Sequence, residues 1–210
     1  MGFLSPDSKL MLGVSRIADL IVLNLIYLLT CIPIVTIGAA NTALYAVCFR
    51  FGTPREEGLL GTYFRAFRDN FPQATLLWLI LLLFGGLSCG NGLLCFGLSG
   101  WTHNLFALFF LMLVRAAMMA GDAFPLLSQF RNSTKATLKN ALLLSVAHLP
   151  RTVVVVALNV LPWVLMLTNL YLFLQVGVLW VALYFSAAAF VNVCLLRKVF
   201  APYMGEEEAE

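Results

Sequence analysis

Arg115 and Asp122 stand inside one apolar stretch, Leu105–Leu127, of a chain in which charge is scarce. On a helix the seven-residue step keeps both on one face and separates them by roughly 10 Å along the axis. Ionisable groups at membrane depth are costly, so each implies a partner or a path. Three readings are open for this pair: a structural ion-pair network with a shared intermediary, a substrate or proton pathway, or a contact with another subunit. Asp19, one turn from Arg16, and Asn24 continue the intramembrane polar set in the first apolar segment. A further stripe lies in Cys31–Phe51, where Gly38, Asn41, Thr42 and Tyr45 recur at i, i+3, i+4 and i+7 and so share a helix face. Lipid offers an amide no hydrogen-bond partner, so Asn41 should face the bundle, with Gly38 admitting a neighbouring helix. That face is either glue between helices or the border of a cavity for a solute or partner segment.

The usual signatures of catalysis are missing. No H-E-x-x-H, P-loop or G-x-S-x-G occurs, and no acid, base and nucleophile fall together. His103 and His148 belong to opposite membrane faces and cannot share a metal. Cys31, Cys48, Cys89, Cys95 and Cys194 are scattered through apolar segments without a C-x-x-C, and read as buried small hydrophobes. Cys89 and Cys95 are near enough in sequence to raise the question of a pairing that nothing requires. The expectation is a protein that is not an enzyme, with no cofactor and no bound metal.

The elements that position these residues follow from composition. The 210 residues are 61% hydrophobic and 11% charged, with a mean hydropathy of +0.93. A soluble domain carries about 25% charged residues, so the chain has too little polar surface for water and suits a bilayer. Apolar segments run over Ile17–Thr30, Thr75–Leu98, Leu105–Leu127, Val153–Leu167 (extended back through Ala141–Leu149) and Tyr171–Leu196. A spanning helix needs about 20 residues. Pro33 truncates the first, and Thr36 can cap a short return limb ending at Arg50. Lys9, Arg16, Arg50, Arg55, Arg65, Arg68, Arg131, Lys135, Lys139, Arg151, Arg197 and Lys198 alternate with connections at Ser99–Asn104 and Thr168–Leu170 that lack Lys and Arg. Basic residues mark the cytoplasmic side.

The resulting expectation is an all-α polytopic membrane bundle of about six segments in three hairpins, with both termini cytoplasmic. It comprises a hairpin over 17–51 with a broken, short second limb and an interfacial segment over 58–72. A second hairpin over 73–130, a second interfacial segment over 131–150, a third hairpin over 151–198 and an acidic tail over 199–210 complete it. The N-terminal MGFLSPDSKLMLG lacks the layout of a secretory signal, and Pro6 argues against myristoylation. The GEEEAE tail reads as a solvated acidic run. Gly86-x-x-x-Gly90 suits close packing within the monomer rather than dimerisation.

A weak internal repeat precedes two of the spans: an apolar and basic stretch ending in Phe71-Pro72-Gln73, then in Leu149-Pro150-Arg151. In the first, Phe64, Phe67 and Phe71 oppose Arg65 and Arg68, the pattern of an amphipathic interfacial helix. Phe64, Phe67, Arg68, Phe71 and Arg151 are therefore candidates either for membrane anchoring or for docking a cytoplasmic partner. Segments ending in Leu-Pro also occur in ABC-importer permeases, but the Glu-Ala-Ala and Gly of that loop are absent here.

Three blocks carry a resemblance: PIVTIGAANTALYAV (Pro33, Thr36, Gly38, Ala39, Thr42, Ala43, Leu44, Tyr45), ADLIVLN (Asp19, Leu20, Asn24) and FRAFRDNFPQAT (Phe64, Phe67, Asn70, Phe71, Gln73). They resemble the YesL-like family of bacterial membrane proteins, a domain of unknown function. The likeness covers about the first 85 residues by motif and the rest by hydropathy layout. It implies a setting in the bacterial cell membrane beside carbohydrate ABC importers and glycan-degrading enzymes, and transfers no catalytic residues. The expected function is that of an accessory subunit or assembly factor of a carbohydrate importer, in contact with the bilayer and with permease or ATPase subunits, and not with nucleic acid. The alternative is a small solute transporter or channel in its own right.

Overall fold

The computed structural model describes residues 9–51, 58–96 and 101–200. The readings made on the N-terminal residues 1–8, on Arg55, on Ser99 in its connection and on residues 201–210 of the tail lie outside them. The described chain is helical, without a strand among those residues. Leu59–Cys95, Leu105–Gln129, Leu149–Thr168 and Gly177–Phe200 are each long and apolar enough to cross a membrane, and Ile34–Arg50 is a shorter apolar helix.

Helix α1 (Lys9–Cys31) stops two residues before Pro33, whose ring and missing N–H bar a continuing helix. A 3-10 turn, Ile34–Thr36, leads into α2 (Ile37–Arg50). Thr36 does not cap α2 as expected. Its hydroxyl instead donates back to the carbonyls of Thr30 (2.5 Å) and Pro33 (2.7 Å). The turn is thereby tied to the end of α1, and the Trp78 indole N–H fixes it from the other side through the Ile34 carbonyl at 2.8 Å.

Helix α3 (Leu59–Phe96) is 38 residues long and holds Pro72 in its interior. The interfacial segment expected to stand apart over 58–72 is thus the first part of a spanning helix. Proline costs one backbone hydrogen bond there without ending the helix, because packing holds both sides. Gln73 adds a tether, its amide donating to the Asn132 carbonyl at 2.5 Å. Helix α4 (Trp101–Gln129) returns, and α5 (Thr134–Ala147) follows, started by Ser133, whose hydroxyl accepts from the Ala136 N–H. Helix α6 (Leu149–Thr168) and a short α7 (Leu170–Gln175) lead to α8 (Gly177–Phe200), which contains a π-helical turn at Trp180–Tyr184.

The short limb α2 is the centre of the molecule. It packs against α1, α3, α4 and α8, and eleven of its 14 residues are buried. Small residues make this possible. A Cβ on Gly38 would lie 2.3 Å from the Ala74 carbonyl oxygen and 2.7 Å from the Trp78 Cβ, so α3 crosses α2 at backbone contact. Gly86 and Gly90, expected to pack within the monomer, face open space; the contacts to α4 come from Gly85 and Gly92 on the adjoining face. Large apolar side chains such as Leu83, Leu111, Trp163 and Leu167 cover the outside, which is the arrangement a lipid solvent permits.

Candidate polar centre and basic edge

The polar residues of the spans fall into three groups, each set by a different feature of the backbone. The first is the stripe on α2. Thr42 is buried and its hydroxyl donates to the Gly38 carbonyl at 3.0 Å. Asn41 donates to the Ile37 carbonyl at 3.0 Å and its Oδ1 accepts from the Tyr27 hydroxyl at 3.3 Å. The amide thus points at α1 and not at lipid. Tyr45 is buried, and its hydroxyl accepts from the Asn192 amide of α8 at 3.1 Å. Tyr27, Asn41, Tyr45, Asn159 and Tyr184 line a small cavity of about 20 Å³, enough for a single water.

The second group is a buried ion pair. Asp122 on α4 is fully buried and is bound by Arg151 of α6, whose side chain is 8% exposed. Register places the two together. Gly121 lacks a side chain where a Cβ would come within 2.8 Å of Val155 Cγ1, so α6 lies directly on α4, and Arg151 is one helical turn from Val155. Arg151, a docking candidate by sequence, has its guanidinium turned inward onto the Asp122 carboxylate. Arg115, seven residues away on the same face of α4, has no described contact with the pair, and the partner of Asp122 is Arg151. Tyr45 lies within electrostatic reach of both members of the pair. Asp122 Oδ2, Arg151 Nε and Nη1, and Asn192 Oδ1 are buried without a hydrogen-bond partner among the described residues. The centre is therefore half satisfied, and it is the chief concentration of unspent polarity in the bundle.

The third group stitches α1 to the π-helical turn of α8. Asn24 is fully buried. Its amide donates to the carbonyls of Trp180 (3.1 Å) and Val181 (2.7 Å), and its Oδ1 accepts from the Ser186 N–H at 3.0 Å. One side chain from α1 thus fills the hydrogen bonds that the widened turn leaves open, which gives that turn a cause. The Ser186 hydroxyl completes the junction through the Leu20 carbonyl at 2.7 Å. Asp19 sits half-exposed on α1, outside all three groups.

Arg115 has no ion pair or hydrogen bond among the described residues. It is exposed, on α4 two residues from the middle of Leu105–Gln129. An arginine at a helix centre costs about 2.5–3.5 kcal/mol on insertion scales.

The basic edge is built on the start of α3. Phe64 and Phe71 are exposed, as are Arg65 and Arg68. Phe67 is different: it is half-buried, stacked on the fully buried Tyr63 with ring centroids 6.4 Å apart. Tyr63 is itself locked by Thr30, hydroxyl to hydroxyl at 2.6 Å. Across the same end of the bundle, a half-open cavity of about 430 Å³ lies between α4, α5 and α8, lined by Leu126, Phe130, Asn140, Leu144, His148 and Phe200.

Three residues outside the sequence-derived set prove structural. Pro162 cannot donate to the Leu158 carbonyl, and the Tyr184 hydroxyl takes that place at 2.7 Å. Arg197 closes the end of α2 by donating to the carbonyls of Phe49 (2.8 Å) and Phe51 (2.7 Å). Asn192 holds Tyr45. The interior proline was a readable signal for the first; the other two depend on how α8 packs. Among the described residues no three His, Cys, Asp or Glu side chains gather as metal ligands. The cysteines are free, Cys48 buried, Cys31 and Cys95 half-buried and Cys89 and Cys194 exposed, so the reading of all five as buried holds for Cys48 alone.

Residues 20–92 match the family described as a protein of unknown function, DUF624. The match runs from α1 through α2 and most of α3. No match was found among curated proteins or among solved structures.

Proposed function

We propose that the chain is a non-enzymatic multi-pass protein of the bacterial cell membrane, with six segments and both termini on the cytoplasmic side, that serves as an accessory subunit or assembly factor of a carbohydrate ABC importer. The observation that carries this reading is the length of α3. At 1.5 Å per residue its 38 residues extend about 57 Å, against a hydrocarbon thickness of about 30 Å. The excess lies at the end that carries Phe64, Arg65, Arg68 and Phe71, so a rigid helix presents an aromatic and basic surface beyond the apolar layer. Helices hold binding residues more firmly than loops do. The resemblance to YesL-like proteins supports importer subunits as the partner.

Co-purification from native membranes tests it. The double variant Phe64→Ala with Arg68→Glu alters exposed positions and should keep protein level while losing importer subunits. Phe67→Asp removes a packed ring and should lower the level itself. Retention of importer subunits by the double variant, or their absence from the wild type, would reject the reading.

The transporter alternative draws on the polar groups inside the bundle, Asn41, the Tyr45–Asn192 hydrogen bond and the Asp122–Arg151 pair. Solute flux in liposomes holding this chain alone, lost in Asn192→Leu, would favour it.

A further inference from the structure

We propose that Arg115 is the contact point for a transmembrane helix of a partner protein, and that this helix carries an aspartate or glutamate at mid-membrane depth. The inference rests on the reading of the chain as an accessory membrane subunit and supplies the chemistry of its intramembrane contact.

Depth is the first argument. Arg115 lies about 15 Å of helix from Leu105 and about 21 Å from Gln129 at 1.5 Å per residue. Snorkelling serves arginines near helix ends; from here neither interface is close.

Isolation is the second. The side chain is exposed, and no described residue gives it a hydrogen bond or a carboxylate. Its neighbours one turn away on α4, Leu111 and Met119, are apolar. The carboxylate seven residues along, Asp122, is fully buried and already engaged by Arg151. Elsewhere in the spans the chain treats polarity differently: Asn24, Asn41, Thr42 and Tyr45 are each bonded to a named group. Arg115 is the exception, and a lipid-facing guanidinium without a counterion is rare because nothing replaces its hydration.

The choice of partner follows from charge and symmetry. Among the described residues a second copy offers Asp122, which is sealed, and Asp19 and Asp69, which lie one turn from Arg16 and next to Arg68. Basic residues mark the cytoplasmic side, so Asp19 and Asp69 stand nearer that side than Arg115 does. Copies inserted in the same sense present equal depths, so a self-contact cannot bring Asp19 or Asp69 to Arg115. A different helix with its own carboxylate can, and a bidentate arginine–carboxylate pair away from water gives such a contact direction as well as strength.

The test uses the full chain in native membranes, with a photoreactive residue replacing Leu111, an exposed position on the Arg115 face. The expected adduct is a transmembrane peptide of another protein containing Asp or Glu. Arg115→Leu should reduce that adduct by at least about tenfold, and reversing both charges, Arg115→Glu with the partner carboxylate changed to Arg, should restore it. Purified Arg115→Leu should melt at or above the wild-type temperature in detergent, since no internal bond is lost. Adducts to lipid alone, a cross-link to a second copy, a peptide without an acidic residue, or a lower melting temperature of the purified variant would overturn the inference. An acidic helix from a protein unrelated to importers would sustain the inference and reject the importer reading.

Discussion

The short apolar limb α2 and the spanning helix α6 make an instructive pair. In α2, eleven of 14 residues are buried; in α6, four of 20 are, namely Arg151, Thr152, Val155 and Pro162. By hydropathy alone the ranking would be reversed. Water-based intuition assigns the most apolar helix to the core, but in a bilayer the solvent is as apolar as leucine, so apolarity does not drive burial. What admits a helix to the centre is small side chains and answered polar groups. Helix α2 has Gly38, Ala39, Ala40, Thr42 and Ala43 against its neighbours, whereas α6 shows Val153, Trp163 and Leu167 to the outside and is held at a few polar points. The residues matched by the family of unknown function lie in the densely packed half.

The largest effect should come from breaking the centre. Gly38→Val places atoms into the Ala74 backbone, which cannot move aside as a side chain can. The cost should exceed the about 1–3 kcal/mol of ordinary overpacking and leave no monodisperse protein in detergent. Gly86→Val, on the same kind of residue with nothing within 4 Å, should be indistinguishable from wild type by size-exclusion chromatography and melting. Equal tolerance of both would erase the distinction between the two regions.

Next is the attachment of α6. Asp122→Ala leaves a buried guanidinium without its counterion, a change that typically costs about 3–5 kcal/mol. The paired change Asp122→Leu with Arg151→Met should recover most of that, measured by denaturant titration in mixed micelles. If the double variant is as damaged as the single, the centre does more than hold α6, and the transporter reading gains ground.

A smaller effect separates packing from hydrogen bonding in the same hairpin. Tyr184→Phe removes the donor to the Leu158 carbonyl, worth on the order of 0.6–1.7 kcal/mol within a membrane bundle. In a Pro162→Ala background the helix can supply its own donor, so the same substitution should then cost close to nothing. A full additive loss in that background would show that Tyr184 acts by packing.

Sequence reasoning located most of the participants and few of the pairings. Pro33 ended α1, the Gly38 face was identified as a contact, and Asn41 was expected to face the bundle, because each conclusion depends on local geometry and on the poverty of lipid as a hydrogen-bond solvent. Asn24 was identified as a polar residue, but its partners are 156 and 157 residues away, and a π-helical turn leaves no local pattern that would reveal them. Asp122 was assigned to a face shared with Arg115 by periodicity, whereas its actual partner is set by where Gly121 allows α6 to lie. The segment over 58–72 was read as interfacial from its amphipathic Phe and Arg pattern, which says nothing about whether the helix continues; it runs on through Pro72 into the span. The order of charges along the chain is local, but the register between helices is tertiary.

The overhanging start of α3 is the proposed meeting point with a carbohydrate importer. A photoreactive residue in place of Phe64, compared with one in place of the exposed apolar Leu83, tests it in living membranes. The expected result is an adduct with a permease or ATPase subunit from position 64 that is lost with Arg68→Glu, and only lipid from position 83. Lipid adducts alone from position 64 would mean that the aromatic face anchors the helix in the bilayer surface, and would contradict the claim.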